Sequence, residues 1–163
     1  TPDIIAGGKA LGGGLPIGYF STRAQIAAAY TRPGASTFGG NPVCATAGVT
    51  FLRILQRDGL VERSEKMGQW LRRRLGELAR SQPLIGDVRG LGLMVGVELT
   101  GPGGQSAAAL ADRVLEAMKD AGFLLGKTGP GRNVLTLMPP LIVEQTDLER
   151  AVEALGTALK KVD

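Results

Sequence analysis

Hydrophobic and polar residues recur with a helical period through the middle of the chain. Between residues 60 and 81, apolar side chains return every three or four positions, which predicts an amphipathic helix with one buried face. The predicted buried stripe consists of Leu60, Met67, Leu71, Leu75 and Leu78. The preceding segment is apolar almost all round, so we predict a buried helix that extends to about Asp58. Asn41 suits its N-cap, Pro42 its first helical position and Gly59 its C-terminal cap.

The first forty residues show shorter apolar runs that are separated by glycine and proline. Residues 2–5 are expected to enter a buried strand, and residues 17–20 match a second short apolar strand. Thr22 is placed to cap a helix over residues 24–30, which would end near residues 33–34 because a Pro-Gly pair stops a helix.

Beyond Pro83 the pattern changes to short strands with helices between them. Segments 84–88 and 91–99 are β-like and flank Arg89 and Gly90. The elements predicted to follow are a loop at 101–104, a helix at 107–121, strands at 123–125 and 134–138, and a last helix opened by a capping box of Thr146 and Glu149. This mixture of strands and helices predicts an α+β lobe.

The composition is that of an ordinary globular chain, with 44% hydrophobic and 21% charged residues in 163. Because histidine is absent, imidazole catalysis and histidine-based metal sites are excluded, and we expect no metal. The net charge of +4 lies largely on the amphipathic helix among interspersed glutamates, which indicates a solvated face and no nucleic-acid site. No apolar run approaches the roughly 20 residues that span a membrane. The single cysteine, Cys44, permits no disulfide within the chain, so we expect a cytoplasmic location.

Lys9 is the residue with the clearest candidate chemistry. No other charged residue occurs between Asp3 and Arg23, and five glycines lie between Gly7 and Gly14. Glycines let the backbone turn sharply and approach a ligand closely. We expect an amine in this apolar setting to lose solvation of its charged form, and the free amine is a nucleophile that forms Schiff bases with carbonyl groups. The alternative is a lysine in a glycine-rich surface loop.

Four segments of the chain together carry a resemblance to one enzyme family. Residues 1–18 surround Lys9, and residues 36–42 read Ser-Thr-Phe-Gly-Gly-Asn-Pro. Residues 86–94 surround an arginine, and residues 133–141 contain Met-Pro-Pro-Leu. In this order they resemble the cofactor-lysine segment, the phosphate-contacting loop, the carboxylate-binding arginine segment and the last strand of the class III aminotransferases. These are pyridoxal-phosphate enzymes of fold type I, so the resemblance implies pyridoxal 5'-phosphate as the cofactor.

The resemblance implies a role for each of four residues. Lys9 would be the catalytic residue, which holds the cofactor as a Schiff base and moves a proton during the reaction. Ser36 and Thr37 would bind the cofactor phosphate, Thr37 that of the neighbouring subunit, which implies a homodimer with shared active sites. Arg89 would bind the substrate carboxylate through its guanidinium fork. The simpler alternatives are an ordinary turn for the two hydroxyl residues and an ion pair with Asp87 for the arginine.

The resemblance also implies the fold class, which is α/β with the fold type I of the pyridoxal-phosphate-dependent transferases. Residues 1–82 would be the C-terminal part of the cofactor-binding large domain, and residues 83–163 would be the small C-terminal α+β domain. The chain begins at Thr1 and does not include three parts of the family's site. They are the aspartate that pairs with the pyridine nitrogen, the aromatic residue that stacks on the ring, and the glycine-bearing phosphate cup. We therefore expect a portion of a longer enzyme that is inactive alone.

The function that the resemblance implies is transfer of an amino group from an amino acid or amine to a 2-oxo acid. Thr136 stands where many relatives carry an arginine, which leaves the distal group of the substrate unassigned. Relatives with the same lysine catalyse other reactions, so an aminomutase, a decarboxylase or a racemase is one alternative. A binding or oligomerisation module without activity is another.

Overall fold

The computed structural model describes residues 1–32, 34–101 and 107–162. They form two compact units, Thr1–Gly59 and Leu60–Asp163. The first unit contains β1 (Ile4–Gly8), a 3₁₀ helix (Lys9–Gly12), β2 (Gly18–Thr22), α1 (Ala24–Ala27) and α2 (Pro42–Arg57). The second contains α3 (Leu60–Ala79), β3 (Ile85–Leu91), β4 (Met94–Leu99), α4 (Ala108–Asp120), β5 (Gly126–Thr128), β6 (Val134–Leu137) and α5 (Gln145–Val162). Pro33 and most of the predicted loop at 101–104 lie outside the described residues.

The first unit begins with an antiparallel hairpin of β1 and β2, in which Gly8 lies opposite Gly18. The Thr22 hydroxyl donates a hydrogen bond to the Asp3 carbonyl oxygen at 2.9 Å, across the open end of the hairpin. The prediction that Thr22 caps the next helix is therefore wrong. Arg23 occupies the N-cap of α1 without a side-chain bond, and the helix ends at Ala27, three residues before the predicted end.

Helix α2 confirms its predicted N-cap but not its predicted burial, and its C-cap is Asp58, one residue before the predicted Gly59. Asn41 accepts hydrogen bonds from the backbone N–H groups of Val43 and Cys44, and Gly59 follows the helix with φ 57°. The buried residue of the helix is Gly48, where the 3₁₀ helix packs against it, whereas Leu52 is 53% exposed. The prediction of a buried helix is wrong for this unit, because the short 3₁₀ helix covers a small part of the apolar surface that α2 presents.

The second unit is built on a four-stranded antiparallel sheet with strand order β3–β4–β6–β5. Strand β4 alternates between buried and more exposed residues, and in β6 the half-buried Thr136 lies between the buried Leu135 and Leu137, as expected for a sheet that has one face in a core. Helices α3 and α4 contact the sheet, and α5 packs against both of these helices. The side chains of this core with no exposed surface include Leu71, Leu75, Val95, Val97, Leu99, Val114, Leu135, Leu155 and Leu159.

Most predicted elements of the second unit are confirmed. The stripe of α3 is buried at Leu60, Met67, Leu71 and Leu75, and Leu78 packs against the core while partly buried. The short strand expected at residues 123–125 lies instead at Gly126–Thr128, where it pairs with β6. The last helix begins at Gln145, one residue before the predicted cap Thr146, so the predicted capping box is wrong. None of the helices in the described ranges combines the length and the apolar character needed to cross a membrane.

The division into compact units differs in position from the predicted domain boundary. The boundary in the sequence falls between Gly59 and Leu60, because Met67, Leu71 and Leu75 of α3 belong to the core of the second unit. The assignment of residues 1–82 to the large domain and of residues 83–163 to the small domain follows from the family resemblance, and it stays a prediction. Helix α3, which precedes residue 83, contributes to the core of the second unit.

Candidate active site

The first unit contains a cavity of about 870 Å³ that brings together two of the predicted site residues, Lys9 and Ser36. The remaining lining residues come from the start of β2 and the residues before it, from the segment that leads into α2, and from the first turn of α2: Pro16, Ile17, Gly18, Phe38, Gly39, Gly40, Asn41, Cys44 and Ala45. Thr37 is not among these lining residues, although it follows Ser36 directly. The sequence segments around Lys9 and around Ser36 therefore form one site in space.

Lys9 lies at the junction of β1 and the 3₁₀ helix and has a backbone φ of 54°. A residue with a Cβ in this left-handed region is strained by roughly 1–3 kcal/mol, and such strain clusters at functional sites. The side chain is exposed, so the desolvation expected from its apolar neighbours in the sequence is wrong for the described residues. The strained backbone, rather than burial, distinguishes this lysine.

Close contacts to glycine fix the segment that carries Lys9 against α2. A Cβ atom at Gly48 would lie 3.0 Å from Ile17 Cδ1, and one at Gly12 would lie 3.0 Å from Ile17 Cγ2. Both positions are buried, so a larger residue would have to displace the Ile17 side chain. The glycines around Lys9 thus allow a close approach to the helix, as their density in the sequence predicts.

Ser36 begins a tight turn that ends at the N-terminus of α2. The N–H of Gly39 donates to the Ser36 carbonyl oxygen at 3.1 Å, and a Cβ at Gly39 would lie 3.0 Å from Ser36 Cβ. Gly40 follows with φ 71°, and Asn41 then caps the 16-residue helix. The positive end of the helix dipole and a hydroxyl group thus lie on one cavity, which favours an anion such as a phosphate.

The residues of this cavity fit two groups of pyridoxal phosphate, its aldehyde and its phosphate. Lys9 supplies an amine for an aldehyde, and Ser36 at the start of the turn supplies a hydroxyl for a phosphate. The sequence did not single out Phe38 or Cys44, which also line the cavity. For Cys44 a signal was available, because it follows the predicted N-cap Asn41 by three residues and so belongs to the first turn of α2, next to the cap.

Arg89 lies in the second unit, at a position different from the predicted one. It is inside β3, opposite Gly96, and the turn of the hairpin is at Gly92 and Leu93. The prediction that Arg89 sits between two strands is therefore wrong. In the sequence, Arg89-Gly90 and Leu91-Gly92 are similar turn signals. The turn forms at the second of these glycines, and Arg89 takes a solvent-facing position within the strand.

The side chain of Arg89 is 52% exposed, and its guanidinium pairs with two carboxylates. Its Nη1 atom donates to Asp87 Oδ2 and to Glu98 Oε2, each at 2.6 Å. The hydrogen bond to Asp87 and then that to Glu98 raise the pKa of Arg89 above its usual range. The ion pair with Asp87, which was the simpler alternative, is thus present, and the substrate role of Arg89 stays a prediction. The sequence did not predict the contact between Glu98 and Arg89, because that contact depends on the register of β3 and β4.

Three residues of α3 fix the turn between β3 and β4. Glu65 Oε2 accepts from the Gly92 N–H at 3.2 Å, and Ser64 Oγ accepts from the Leu93 N–H at 3.1 Å. Arg72 Nη1 donates to the Gly92 carbonyl oxygen at 3.1 Å. The pKa of Glu65 is lowered, chiefly by the hydrogen bond from Gln69; desolvation opposes this effect, and the Gly92 N–H and the charge and hydrogen bond of Arg72 add to the lowering. These bonds hold the hairpin that carries Arg89 in register.

Comparisons with known proteins agree on one family. The family model described as aminotransferase class-III matches residues 1–159. Acetylornithine aminotransferase of Mycobacterium tuberculosis is 44% identical over 163 residues, covering 99% of this chain and 38% of the relative. Alanine–glyoxylate aminotransferase 2 homolog 2, a mitochondrial protein of Arabidopsis thaliana, is 37% identical over 165 residues, with 99% and 35% covered. The chain thus spans well under half the length of these relatives.

Solved structures show the same relationship in three dimensions. A phospholyase from Arthrobacter in complex with phosphoethanolamine matches with a TM-score of 0.93 at 30% identity, covering 98% of this chain and 39% of that one. A Bacillus anthracis aminotransferase matches with a TM-score of 0.88 at 32% identity, with the same shares covered. The fold is that of the pyridoxal-phosphate-dependent transferases of fold type I. The chain belongs to the class III aminotransferase family.

Proposed function

We propose that this chain forms part of a pyridoxal-phosphate-dependent aminotransferase, which moves an amino group from an amino acid or amine to a 2-oxo acid. The observation that carries the proposal is the single cavity that Lys9 and Ser36 line at the N-terminus of α2. Membership of the class III family and relatives named as aminotransferases support it. The reaction balances without an external oxidant, because the donor becomes a carbonyl compound as the 2-oxo acid becomes an amino acid.

Lys9 is the proposed catalytic residue. With pyridoxal phosphate bound, the amine of Lys9 would hold the cofactor at its carbonyl carbon and, when free, would carry a proton between the substrate carbon and the cofactor carbon. Bound pyridoxal phosphate supplies the electron sink for this proton transfer. The strained backbone at Lys9 sets the direction in which the side chain leaves the junction of β1 and the 3₁₀ helix.

Ser36 and Thr37 are proposed to bind the cofactor phosphate. Ser36 lines the same cavity as Lys9 and precedes the positive end of the α2 dipole, so a dianionic group is stabilised there. Thr37 does not line this cavity, which suits the proposal that it contacts the cofactor of a neighbouring subunit in a homodimer. We propose a cytoplasmic location, supported by the single cysteine of the chain.

Arg89 is the proposed binding residue for the substrate carboxylate. Its fork is directed at Asp87 and Glu98, so a substrate carboxylate has to displace or share these partners. Replacement of Arg89 by lysine retains the charge and removes the fork. We expect a KM for the amino acid that rises roughly ten- to a hundredfold, with cofactor binding unchanged. An unchanged KM would leave Arg89 as a structural ion pair.

A lyase acting on a phosphorylated amine is the second candidate function. The observation that favours it is the match between this chain and the phospholyase structure with phosphoethanolamine, which has a TM-score of 0.93 at 30% identity. The two functions differ in their products. Release of inorganic phosphate from phosphoethanolamine without formation of a new amino acid would favour the lyase over the aminotransferase. An aminomutase, a decarboxylase or a racemase would likewise form no amino acid from an added 2-oxo acid.

The decisive experiment compares two lysine variants of the full-length gene product. Lys9→Ala is expected to abolish the visible–ultraviolet absorption of bound cofactor and the covalent adduct that borohydride traps, with loss of amino transfer. Lys66→Ala, which removes an exposed lysine of α3, is the matched control and should retain both. Peptide mapping by mass spectrometry locates the adduct. An adduct on Lys119 or Lys127, or one that persists in Lys9→Ala, would contradict the proposal.

A further inference from the structure

Ile17 packs against both ends of the short segment that carries Lys9. A Cβ atom at Gly8, directly before Lys9, would lie 3.1 Å from the Ile17 carbonyl oxygen. A Cβ atom at Gly12, the last residue of the 3₁₀ helix, would lie 3.0 Å from Ile17 Cγ2. Cβ contacts in proteins are seldom so short, so both glycines lie directly against Ile17. One residue thus supports the 3₁₀ helix that begins with Lys9 on either side.

The same side chain packs on α2. Ile17 Cδ1 lies 3.0 Å from the position that a Cβ atom would take at Gly48, which is buried. Leu11 of the 3₁₀ helix approaches the same position with its Cγ atom and its carbonyl oxygen, each at 3.8 Å. The Ile17 side chain therefore lies between the 3₁₀ helix and α2, and it also lines the cavity that Lys9 and Ser36 share.

The backbone of Lys9 requires support of this kind. Its φ of 54° lies in the left-handed region, where a residue with a Cβ stays only if the surrounding structure holds it there. The preceding residue, Gly8, pairs with Gly18 across the hairpin, and neither carries a side chain that could hold the junction. Ile17 supplies close packing on both sides of Lys9, so it stabilises the strained conformation.

The two ends of the cavity belong to different elements of the first unit. Lys9 supplies an amine from the 3₁₀ helix, whereas Ser36 and the capped N-terminus of α2 favour an anion. A ligand that engages both ends gains affinity from the second contact only when the two ends are held at a suitable separation. Because Ile17 lies between the two helices, the shape of its side chain determines that separation.

We propose that Ile17 is a positioning residue that couples the amine of Lys9 to the anion-binding end of the cavity. The inference rests on the proposed function, in which these ends hold the aldehyde and the phosphate of pyridoxal phosphate. Without the Ile17 contacts, Lys9 remains an exposed amine that reacts with an aldehyde, but the phosphate no longer adds to the affinity. The contribution of Ile17 is therefore the preference for pyridoxal phosphate over pyridoxal, which lacks the phosphate.

The test measures the dissociation constants of pyridoxal phosphate and pyridoxal for the full-length apoenzyme, by absorbance of the covalent adduct. Borohydride trapping and peptide mapping locate the adduct. Ile17→Val removes the Cδ1 atom that packs on Gly48, and Gly48→Ala adds a Cβ atom 3.0 Å from the native position of that atom. Each change should lower the preference for pyridoxal phosphate by about tenfold or more and leave the affinity for pyridoxal nearly unchanged. The double variant exchanges one methyl group for another in the same space and should restore most of the preference.

Two variants control for the chemistry of these substitutions. Ile54→Val removes the same methyl group from a side chain of α2 that is 36% exposed, and Gly76→Ala adds a methyl group to α3 with no atom within 4 Å. Neither should change the preference. Ile17→Leu conserves volume and is expected to fold, but it lacks the Cγ2 atom that packs on Gly12. It should also lower the preference, so the test remains decisive if Ile17→Val or Gly48→Ala does not fold.

The outcomes separate the two proposals. The inference is wrong, and the proposed function stands, if the native enzyme forms its adduct at Lys9 but the variants of Ile17 and Gly48 keep the native preference. A double variant that is no better than the weaker single variant, or a native enzyme that binds pyridoxal as tightly as pyridoxal phosphate, also contradicts the inference alone. If the native enzyme forms no adduct at Lys9, both proposals are wrong.

Discussion

The two units of the chain differ in how they use their apolar residues. In the described part of Thr1–Gly59, the fully buried residues are two glycines, Gly12 and Gly48, and side chains such as Phe20 and Leu52 are exposed. All buried apolar side chains of the described residues belong to Leu60–Asp163, where two helices contact a sheet and a third packs against these helices. The candidate catalytic lysine thus lies in the unit that has no core of its own.

This difference separates the origin of stability from the origin of chemistry. Burial of apolar area is the main favourable term in folding, at about 25 cal/mol per Å², so the second unit supplies most of it. The first unit supplies the amine, the hydroxyl and the helix terminus of the cavity. The apolar surface of α2 exceeds what its own unit covers, which indicates that the site requires further packing partners to become rigid.

The largest expected effect comes from separating the units. Residues 60–163 alone should unfold cooperatively on heating, whereas residues 1–59 alone should show no cooperative transition, because they lack a buried apolar core. Residues 83–163 should also fail to fold cooperatively, since α3 provides Met67, Leu71 and Leu75 to the core. Calorimetry and circular dichroism of the three segments measure this. A cooperative transition of residues 1–59 would remove the contrast between the units.

The same contrast predicts how the 163-residue chain behaves with the cofactor. We expect the second unit to fold while the first remains poorly ordered, so Lys9 should bind pyridoxal phosphate no better than a surface lysine does. Titration with the cofactor, followed by absorbance and borohydride trapping, measures the stoichiometry of the adduct. A stoichiometric adduct at Lys9 together with a single cooperative melt would contradict this expectation.

Truncation of a leucine should have very different effects in the two units. Leu71→Ala, at a position without exposed surface, is expected to lower the free energy of unfolding of the second unit by about 2–5 kcal/mol. Leu52→Ala, at a position 53% exposed on α2 of the first unit, should change the free energy of unfolding of the chain by no more than about 0.5 kcal/mol. Denaturant titration of both variants gives the comparison. A large loss for Leu52→Ala would indicate packing that the described residues do not contain.

Two glycines of α3 compare a crowded and an open position for one added methyl group within the second unit. A Cβ at Gly68 would lie 1.9 Å from the Gly92 carbonyl oxygen, so Gly68→Ala should cost about 1–3 kcal/mol of stability and loosen the β3–β4 turn. Gly76 has no atom within 4 Å of a Cβ position. Gly76→Ala should therefore stabilise the helix by up to about 1 kcal/mol. Thermal melts of the two variants should move in opposite directions.

The smallest expected effect concerns pH. The hydrogen bond from Gln69, with those from Gly92 and Arg72, lowers the pKa of Glu65 in the folded state from its ordinary value of 4.5. The stabilisation is complete above that ordinary value and is lost as the pH falls through the lower folded value. Compared with Glu65→Gln, the native chain should lose more stability on acidification below pH 4.5. Parallel slopes for the two proteins would show that Glu65 makes no such contribution.

The sequence predicted local features better than partners. The stripe of α3 and the Asn41 cap were predictable because spacing and cap chemistry are properties of adjacent residues. The prediction that Thr22 caps a helix was wrong because its hydroxyl donates to the carbonyl oxygen of Asp3, nineteen residues away, once the hairpin forms. The burial of α2 was wrong because burial depends on what covers a helix and not on its composition alone.

The candidate site shows the same limit. The segments of Lys9 and Ser36 could be chosen from sequence, and their meeting in one cavity follows from the packing of the 3₁₀ helix on α2 through Gly48. The exposure of Lys9 could not be predicted, because apolar neighbours in sequence need not be neighbours in space. The two carboxylates on Arg89 required the register of β3 and β4, which depends on the position of the turn.

The positive φ of Lys9 has a consequence for any attempt to stabilise this protein. The backbone there adopts a conformation that glycine reaches without strain, and the residue directly before it is already a glycine, Gly8. A screen that rewards only heat resistance would accordingly favour replacing the lysine, and would discard the amine in doing so. Selection for the reaction and selection for durability thus act in opposite directions on one residue.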